Sequence, residues 1–318
     1  MSFHHSFPEK SVIIGIDGGG TRTTALAART TDREGGYEII GKGVSKGSNF
    51  YSDTVANAAA HTIDAVEKAV PAGLAAAVVF IGNAALDDFN ESPKLAEYVA
   101  LLRESAVMKN SVITCRSDAF TALHALTGGK AGALLISGTG VMGMARDEKG
   151  NIYPVSGWGD RLGDEGSGYF IALEGIKAAL RDFDSDRPDT PLCRALLSHY
   201  GISSPRSLID IFYADSYDKS AAASFSKPVS DCALAGDETS RGILVRAADI
   251  LFDISRTLIS RSGSDIFGIY GSVLKNDPIV RERYFGRFRS EFPGITPVFP
   301  DVSAEEAAVR CCLAGTNV

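Results

Sequence analysis

The glycine bend inside IDGGGTRTT (residues 16–24) is the feature that most narrows what this chain can fold into. Val12 to Ile16 is a buried-strand run, and Thr23 to Arg29 has the Thr/Ala/Leu make-up of a second, partly covered strand. The glycines at 18 to 20 therefore turn a hairpin. A Walker A loop and a dinucleotide fingerprint both need a helix directly after their glycines, and here a strand follows. The same design begins again about 120 residues later. AGALLISGTGVMGMARDEKGNIY reads as a strand (Ala133 to Ser137), a glycine bend, a short strand (Met142 to Arg146), a KGN turn and one more strand. Gly138 to Gly143 spells G-x-G-x-x-G, yet strand and turn follow it, which removes the nicotinamide reading. Two glycine-bent hairpins so spaced predict a duplicated architecture.

The segments between and after the hairpins alternate. YEIIGKG (37–43) supplies a third strand. Asp53 to Val70 has helical spacing, with Val55, Ala59, Ile63, Val66 and Val70 on one face and Ser52 or Asp53 as N-cap. AAVVFIG (76–82) and SVITC (111–115) are short apolar runs of the kind that make parallel strands. A helix from about Ser240 to Ser260 carries Leu244, Ala247, Leu251, Ile254 and Leu258 on one stripe. DIFGIYGSV (265–273) reads as a strand closed by a glycine turn, and Ser303-x-x-Glu306 has capping-box spacing ahead of a last helix. The class is α/β.

Composition excludes several functions. The 318 residues are 45% hydrophobic and 22% charged, with a net charge of −7 and no basic block, a poor match to a nucleic-acid backbone. No apolar run approaches the roughly 20 residues that span a bilayer. The opening MSFHHSFPEK lacks the pattern of a secretory signal, and His4 and His5 read as polar tail. Five dispersed cysteines (Cys115, Cys193, Cys232, Cys311 and Cys312) fit reduced thiols in a cytoplasmic protein.

Three segments carry candidate chemistry. Glycine loops let backbone N–H groups close on a phosphate, but the same bend serves equally as a structural turn. SGWGDRLGDEGSGYF joins a dense run of glycines to Trp158, the single tryptophan, and to Asp160, Asp164 and Glu165. Such a loop is costly to order and points to a ligand. The plainer account makes Asp164 the N-cap of the next helix, whose stripe is Phe170, Leu173, Ile176 and Leu180, and makes Trp158 a packing residue. Asp118 follows a strand and opens a helix, a position that suits a crevice site and an N-cap alike.

Taken in order, IDGGGTRTT, Asn49, Asp118, ISGTG, GWGDRLGDEGSGYF and IYGSVLKN resemble the sugar kinase, heat-shock ATPase and actin superfamily. Within it they resemble the branch of N-acetylglucosamine kinase and the BadF-type ATPases. The resemblance covers nearly the whole chain. It implies two actin-like (ribonuclease H-like) lobes around a central nucleotide and substrate cleft. The lobes are expected at 11–127, regaining 300–318, and at 128–299. It also implies ATP with Mg²⁺, a small-molecule amino sugar as acceptor, and a homodimer. Gly19, Gly20 and Thr21 would hold ATP phosphates from one lobe, and Gly138 and Thr139 from the other. Asp17 would sit near the metal. Asn49 and Asp118 would bind sugar hydroxyls, with Asp118 the base, while Trp158, Gly159, Asp160 and Asp164 line the sugar pocket. Gly271, Ser272, Asn276 and Ser224 would lie near the adenosine. Animal N-acetylglucosamine kinases carry histidine where this chain has Asp160, which keeps glucosamine, glucose and related sugars open as acceptors. Two other functions compete. An ATPase activator of an iron–sulfur 2-hydroxyacyl-CoA dehydratase or aromatic-CoA reductase would need Cys232 or Cys115 as cluster ligand. A sugar-responsive repressor would need a helix-turn-helix head ahead of Val12, where only about ten residues stand.

Overall fold

The computed structural model describes residues 11–33, 35–51, 53–86, 88 and 92–314; the expectations for Ser52, His4 and His5 lie outside them. The chain divides into two compact units, one ending at Lys130 and resuming at Asp301, the other running Ala131–Pro300.

In the first unit the glycine bend does join two strands. β1 (Val12–Gly18) pairs antiparallel with β2 (Arg22–Thr30), which pairs antiparallel with β3 (Tyr37–Lys46). Helix α1 (Val55–Ala69) carries the chain to β4 (Val78–Asn83), parallel to β1. Helix α2 (Pro93–Leu102) then leads to β5 (Val112–Arg116), parallel to β4, and α3 (Asp118–Thr127) follows. The sheet order is β3-β2-β1-β4-β5. A parallel neighbour requires a crossover, and the amphipathic α1 supplies one while covering one face. Its N-cap is Thr54, whose hydroxyl accepts the Asn57 N–H at 3.1 Å, and not Asp53. The Asp53 carboxylate instead takes the Thr54 N–H and the Asn57 amide at 2.7 and 2.9 Å, so it braces the cap from outside.

The second unit repeats the order. β6 (Gly132–Ser137), β7 (Val141–Arg146) and β8 (Ile152–Ser156) form an antiparallel meander. Helices α4 (Gly168–Asp184), α5 (Pro191–Tyr200), α6 (Leu208–Phe212), α7 (Lys219–Ala223), α8 (Ser226–Leu234) and α9 (Glu238–Ser262) precede β9 (Phe267–Tyr270), parallel to β6. Helices α10 (Ser272–Asn276) and α11 (Pro278–Glu291) follow. The order β8-β7-β6-β9 matches the first four strands of the other sheet, and Val298 extends it through a parallel bridge to Gly268. The stripe expected on α9 faces the core: Leu244, Ala247, Leu251 and Leu258 are buried and Ile254 is half-buried.

On α4 the buried face differs from the expected stripe. Ile171, Ala172, Gly175, Ile176 and Ala179 are covered, while Phe170, Leu173 and Leu180 are half-buried. The small residues let Phe225 and Val229 approach closely, and Phe170 instead lies under the Arg246 guanidinium, 5.3 Å from its ring centroid. Ser167 caps this helix by accepting the Phe170 N–H at 3.1 Å, not Asp164. Asp164 cannot serve because its backbone is left-handed (φ 61°) and turns the carboxylate toward β7. Among the described residues no helix is long and apolar enough to cross a membrane.

The last helix, α12 (Ala304–Leu313), rejoins the first unit with Ser303 as its cap, as the capping-box spacing predicts. It lies on β1 at Gly15, where a side-chain carbon would fall on the Glu305 carbonyl oxygen and the Val309 amide nitrogen. Both obstacles are helical backbone and cannot step aside. Gly15→Ala should therefore destabilise the protein by about 1–3 kcal/mol, read as a lower urea midpoint; an unchanged midpoint would contradict the contact.

Candidate functional site

In the first unit the candidate residues gather where β1 and β4 end. Asp17 is the penultimate residue of β1, in register with Thr24 of β2 and Gly82 of β4. Beyond it the bend is tied by the Gly19 N–H, which donates to the Arg22 carbonyl at 3.0 Å. The Gly19 carbonyl accepts the Ser48 N–H at 3.0 Å, bringing the segment after β3 against the bend. Gly20 and Thr21 stand exposed at its tip. One residue past Ser48, half-buried Asn49 accepts the Tyr51 N–H at 2.9 Å. Buried Asn83, at the end of β4, donates to the Ser48 carbonyl at 3.1 Å and accepts the Ala85 N–H at 2.8 Å. Sequence reading passed over Asn83, although an amide closing an apolar strand is a signal it can use.

Asp118 is the first residue of α3, and Ser117 is the cap, its hydroxyl accepting the Phe120 N–H at 3.0 Å. The Asp118 carboxylate takes the Ala119 N–H at 2.7 Å. Behind it, Asp88 accepts the Ser117 N–H at 3.0 Å and also the Ser117 hydroxyl. The Asp118 side chain opens to solvent, but the protein packed around it penalises its charge, and Asp88 adds repulsion, so its carboxyl is raised above the usual range. Asp17 is raised further, to about 6, by burial first and then by the charges of Glu305 and Asp118, against an opposing pull from Arg22. Glu305, on α12, is buried; burial works against its charge, yet the Lys42 ammonium at 2.8 Å holds its pKa below normal. Like charges near one site favour the protonated form of the weakest-held group. Glu305 lies far along the chain from Asp17, and nothing local in the sequence signals it.

In the second unit the bend after β6 folds onto the start of α4. The Gly138 carbonyl accepts the Gly168 N–H at 2.8 Å, and the Thr139 carbonyl accepts the Tyr169 N–H at 3.2 Å. Beside this bend lies a cavity of about 420 Å³ that gathers Gly138, Thr139, Ser224, Ser272 and Asn276, with Lys227 at its wall. Five positions chosen from sequence thus meet on one surface. Gly271 is set just behind: at φ 97° it turns the chain from β9 into α10, and a side-chain carbon there would strike the Ser137 carbonyl. The Ser224 hydroxyl donates to the Ala221 carbonyl at 2.5 Å and faces Nε2 of His199 at 3.0 Å. A larger groove of about 620 Å³, lined by Arg241, Glu282, Arg283 and Arg287 among others, holds none of the sequence-chosen positions.

Trp158, Gly159 and Asp160 occupy the exposed loop after β8 and do not line the cavity. Trp158 is 72% exposed, so it is not a packing residue. Asp164, by contrast, is 3% exposed and pairs with Lys219, a partner that sequence reading missed. The five cysteines are free thiols; burial pushes the Cys115 thiol up to about 12 and raises that of Cys232 as well. Among the described residues no group of three or more His, Cys, Asp or Glu side chains is arranged to hold a metal ion.

The fold is thus α/β with two actin-like, ribonuclease H-like units. A candidate N-acetylglucosamine kinase from Chromobacterium violaceum, of known structure, has this fold with a TM-score of 0.71 at 20% identity, over 97% of this chain and 100% of that one. The chain belongs to the BadF/BadG/BcrA/BcrD ATPase family, which matches residues 14–287. It is 30% identical over 241 residues to the N-acetylmuramic acid/N-acetylglucosamine kinase of Clostridium acetobutylicum, 76% of either chain. It is also 31% identical over 270 residues to the N-acetyl-D-glucosamine kinase of Dictyostelium discoideum, covering 80% of this chain and 82% of that one.

Burial of Asp17 beside other carboxylates works against the fold. Its folded-state pKa of about 6 lies above the unfolded value, so the penalty is fully present above pH 6 and fades as the pH falls toward 4. Asp17→Asn should therefore stabilise the protein, without added ligands, near neutral pH by roughly 1–2 kcal/mol, allowing for partial exposure, with the gain vanishing near the unfolded pKa. Urea midpoints at the two pH values check this; a destabilised variant at neutral pH would contradict it.

Proposed function

We propose that this chain is an ATP-dependent sugar kinase that transfers the γ-phosphate of ATP to a hydroxyl of an amino sugar. The favoured acceptor is the 6-hydroxyl of N-acetylglucosamine, and glucosamine is the alternative. The observation that carries this reading is the match to two kinases named for N-acetylglucosamine over 76% and 80% of the chain.

The geometry supports particular roles. In the second unit the cavity beside Thr139 takes the nucleotide, with Ser224, Gly271, Ser272 and Asn276 toward the adenosine and the Gly138–Thr139 backbone toward the phosphates. In the first unit the open bend at Gly19, Gly20 and Thr21 offers a second set of backbone donors to phosphate. Asn49, Trp158, Gly159, Asp160 and Asp164 are assigned to the sugar, and Asp160, standing where animal N-acetylglucosamine kinases carry histidine, keeps glucosamine open as the acceptor. Mg²⁺ is assigned near Asp17. The fit there is electrostatic: burial first, then the charges of Glu305 and Asp118, disfavour the ionised Asp17, and a divalent cation would offset both. Mg²⁺ takes one or two carboxylates together with phosphate oxygens and water, so a cage of protein ligands is not required. When bound it neutralises charge on the phosphate oxygens.

Asp118 is assigned as the base. It is held at the start of α3 by the Asp88–Ser117 pair, its oxygen opens to solvent, and its raised pKa makes it a stronger proton acceptor than an ordinary aspartate. The five unpaired thiols are in keeping with a reducing, cytoplasmic setting, and the family resemblance favours a homodimer.

Asp118→Asn should leave ATP affinity near that of the wild type while lowering kcat by about 10²–10⁴. Calorimetry and steady-state rates measure the two, and wild-type turnover would remove the assigned role. A panel of sugars tested for ADP release, with glucosamine competed against N-acetylglucosamine, tests the reading as a whole. It fails if no amino sugar stimulates release.

A further inference from the structure

Asp164 resembles a sugar-pocket residue in sequence, but its carboxylate is already engaged. Oδ1 accepts the Val141 N–H at 2.9 Å, and Oδ2 pairs with the Lys219 ammonium. The side chain is 5% exposed against 30% for Lys219, so the anion is buried while its cation keeps some contact with water. A carboxylate that deep is tolerable only with its partner in place. Its backbone is left-handed as well (φ 61°), a conformation that persists in a non-glycine residue when the surroundings enforce it.

The pair reaches each residue of the bend after Gly138. Val141 is held through its N–H. Gly140 leaves room for the carboxylate, since a side-chain carbon there would sit 2.7 Å from Oδ1. Thr139 is held through Tyr169, whose N–H donates to its carbonyl at 3.2 Å, and the Lys219 ammonium lies 5.6 Å from the centroid of the Tyr169 ring. Lys219 also opens α7, and the next residues of that helix, Ser220 and Ala223, line the same cavity as Thr139. One ion pair therefore joins the bend to the helix that supplies other lining of the same cavity.

We propose that Lys219 is a positioning residue for the phosphate loop: by neutralising Asp164 it keeps that carboxylate on the Val141 amide and fixes the Gly138–Gly140 turn in the shape that receives a nucleotide. The proposal rests on the reading of the cavity beside Thr139 as a nucleotide site, and it leaves a sugar contact of Asp164 untouched, since each carboxylate oxygen keeps a free acceptor site. Lys219 acts through Asp164 and need not touch the ligand. Without the ammonium, the buried charge is relieved by swinging Asp164 toward water, which releases Val141 and the left-handed turn together.

The test is ADP binding by titration calorimetry on the full chain, which is independent of the acceptor's identity. Lys219→Met should weaken ADP binding by about tenfold or more. Adding Asp164→Asn should restore affinity to within about threefold of the wild type, because asparagine still accepts the Val141 N–H and leaves no charge to compensate. If Lys219→Met does not fold, the double variant carries the test alone: near-wild-type affinity supports the proposal and weak binding overturns it. Unchanged ADP affinity in Lys219→Met also overturns it. So does a double variant as weak as the single, which would mean that Lys219 contacts the nucleotide itself. A wild-type protein that binds no ADP overturns the nucleotide reading instead, so the two failures are told apart.

Discussion

Asp17, at the end of β1, feels the charges of Glu305 and Asp118 on top of its own burial, and its neighbours answer that charge in different ways. Asp17 is half-buried, and burial first, with the charges of Glu305 and Asp118 adding to it, raises its pKa to about 6. Glu305 stays ionised because Lys42 reaches it from β3. Asp118 is braced from behind by Asp88 through Ser117. Each of these anions comes from a different element, and only close packing of α12 on β1 at Gly15 and of α3 after β5 brings them together. Such crowding works against stability in an empty protein, and it is the arrangement that a cation carrying phosphate would relieve.

The second unit meets a related constraint with different means. Its bend after β6 has the same place in the sheet as the bend after β1, in a strand order that repeats. The anion beside it is a single buried aspartate neutralised by a lysine, so the charge is balanced within the unit. Helices α4, α7 and α10 then wall a cavity next to that bend. In the first unit Asp17 and Asp118 lie close enough to disfavour each other's charge, and in the second a hollow is lined by hydroxyls, an amide, a lysine and Asp277. That asymmetry matches the division of labour proposed for them, with metal and acceptor chemistry on one unit and the nucleotide body on the other.

Local rules were enough for the scaffold. Strand composition and glycine bends identified β1, β2, β6 and β7; helical periodicity identified α1 and α9; the serine and glutamate spacing identified the start of α12. Each depends on hydrogen bonds and side-chain faces among residues a few positions apart. The family resemblance, and not these local rules, brought Gly138, Thr139, Ser224, Ser272 and Asn276 forward as a set, and these share one cavity. The local rules assigned nothing to the short helices α5 to α8, whose five to ten residues leave periodicity little room to speak.

What the amino-acid sequence determined alone was the α/β class, the doubled hairpin and the list of candidate loops, since turn chemistry and hydrophobic period are local properties. Tertiary structure decided which anions are paired and which are crowded. Lys219 meets Asp164 across 55 positions of chain, and Lys42 meets Glu305 across 263. It also decided that Ser167 rather than Asp164 caps α4, because the left-handed turn at Asp164 sends its carboxylate to Val141. Burial and electrostatic partnership are set by what the folded chain places nearby, and no spacing rule along the chain contains that information.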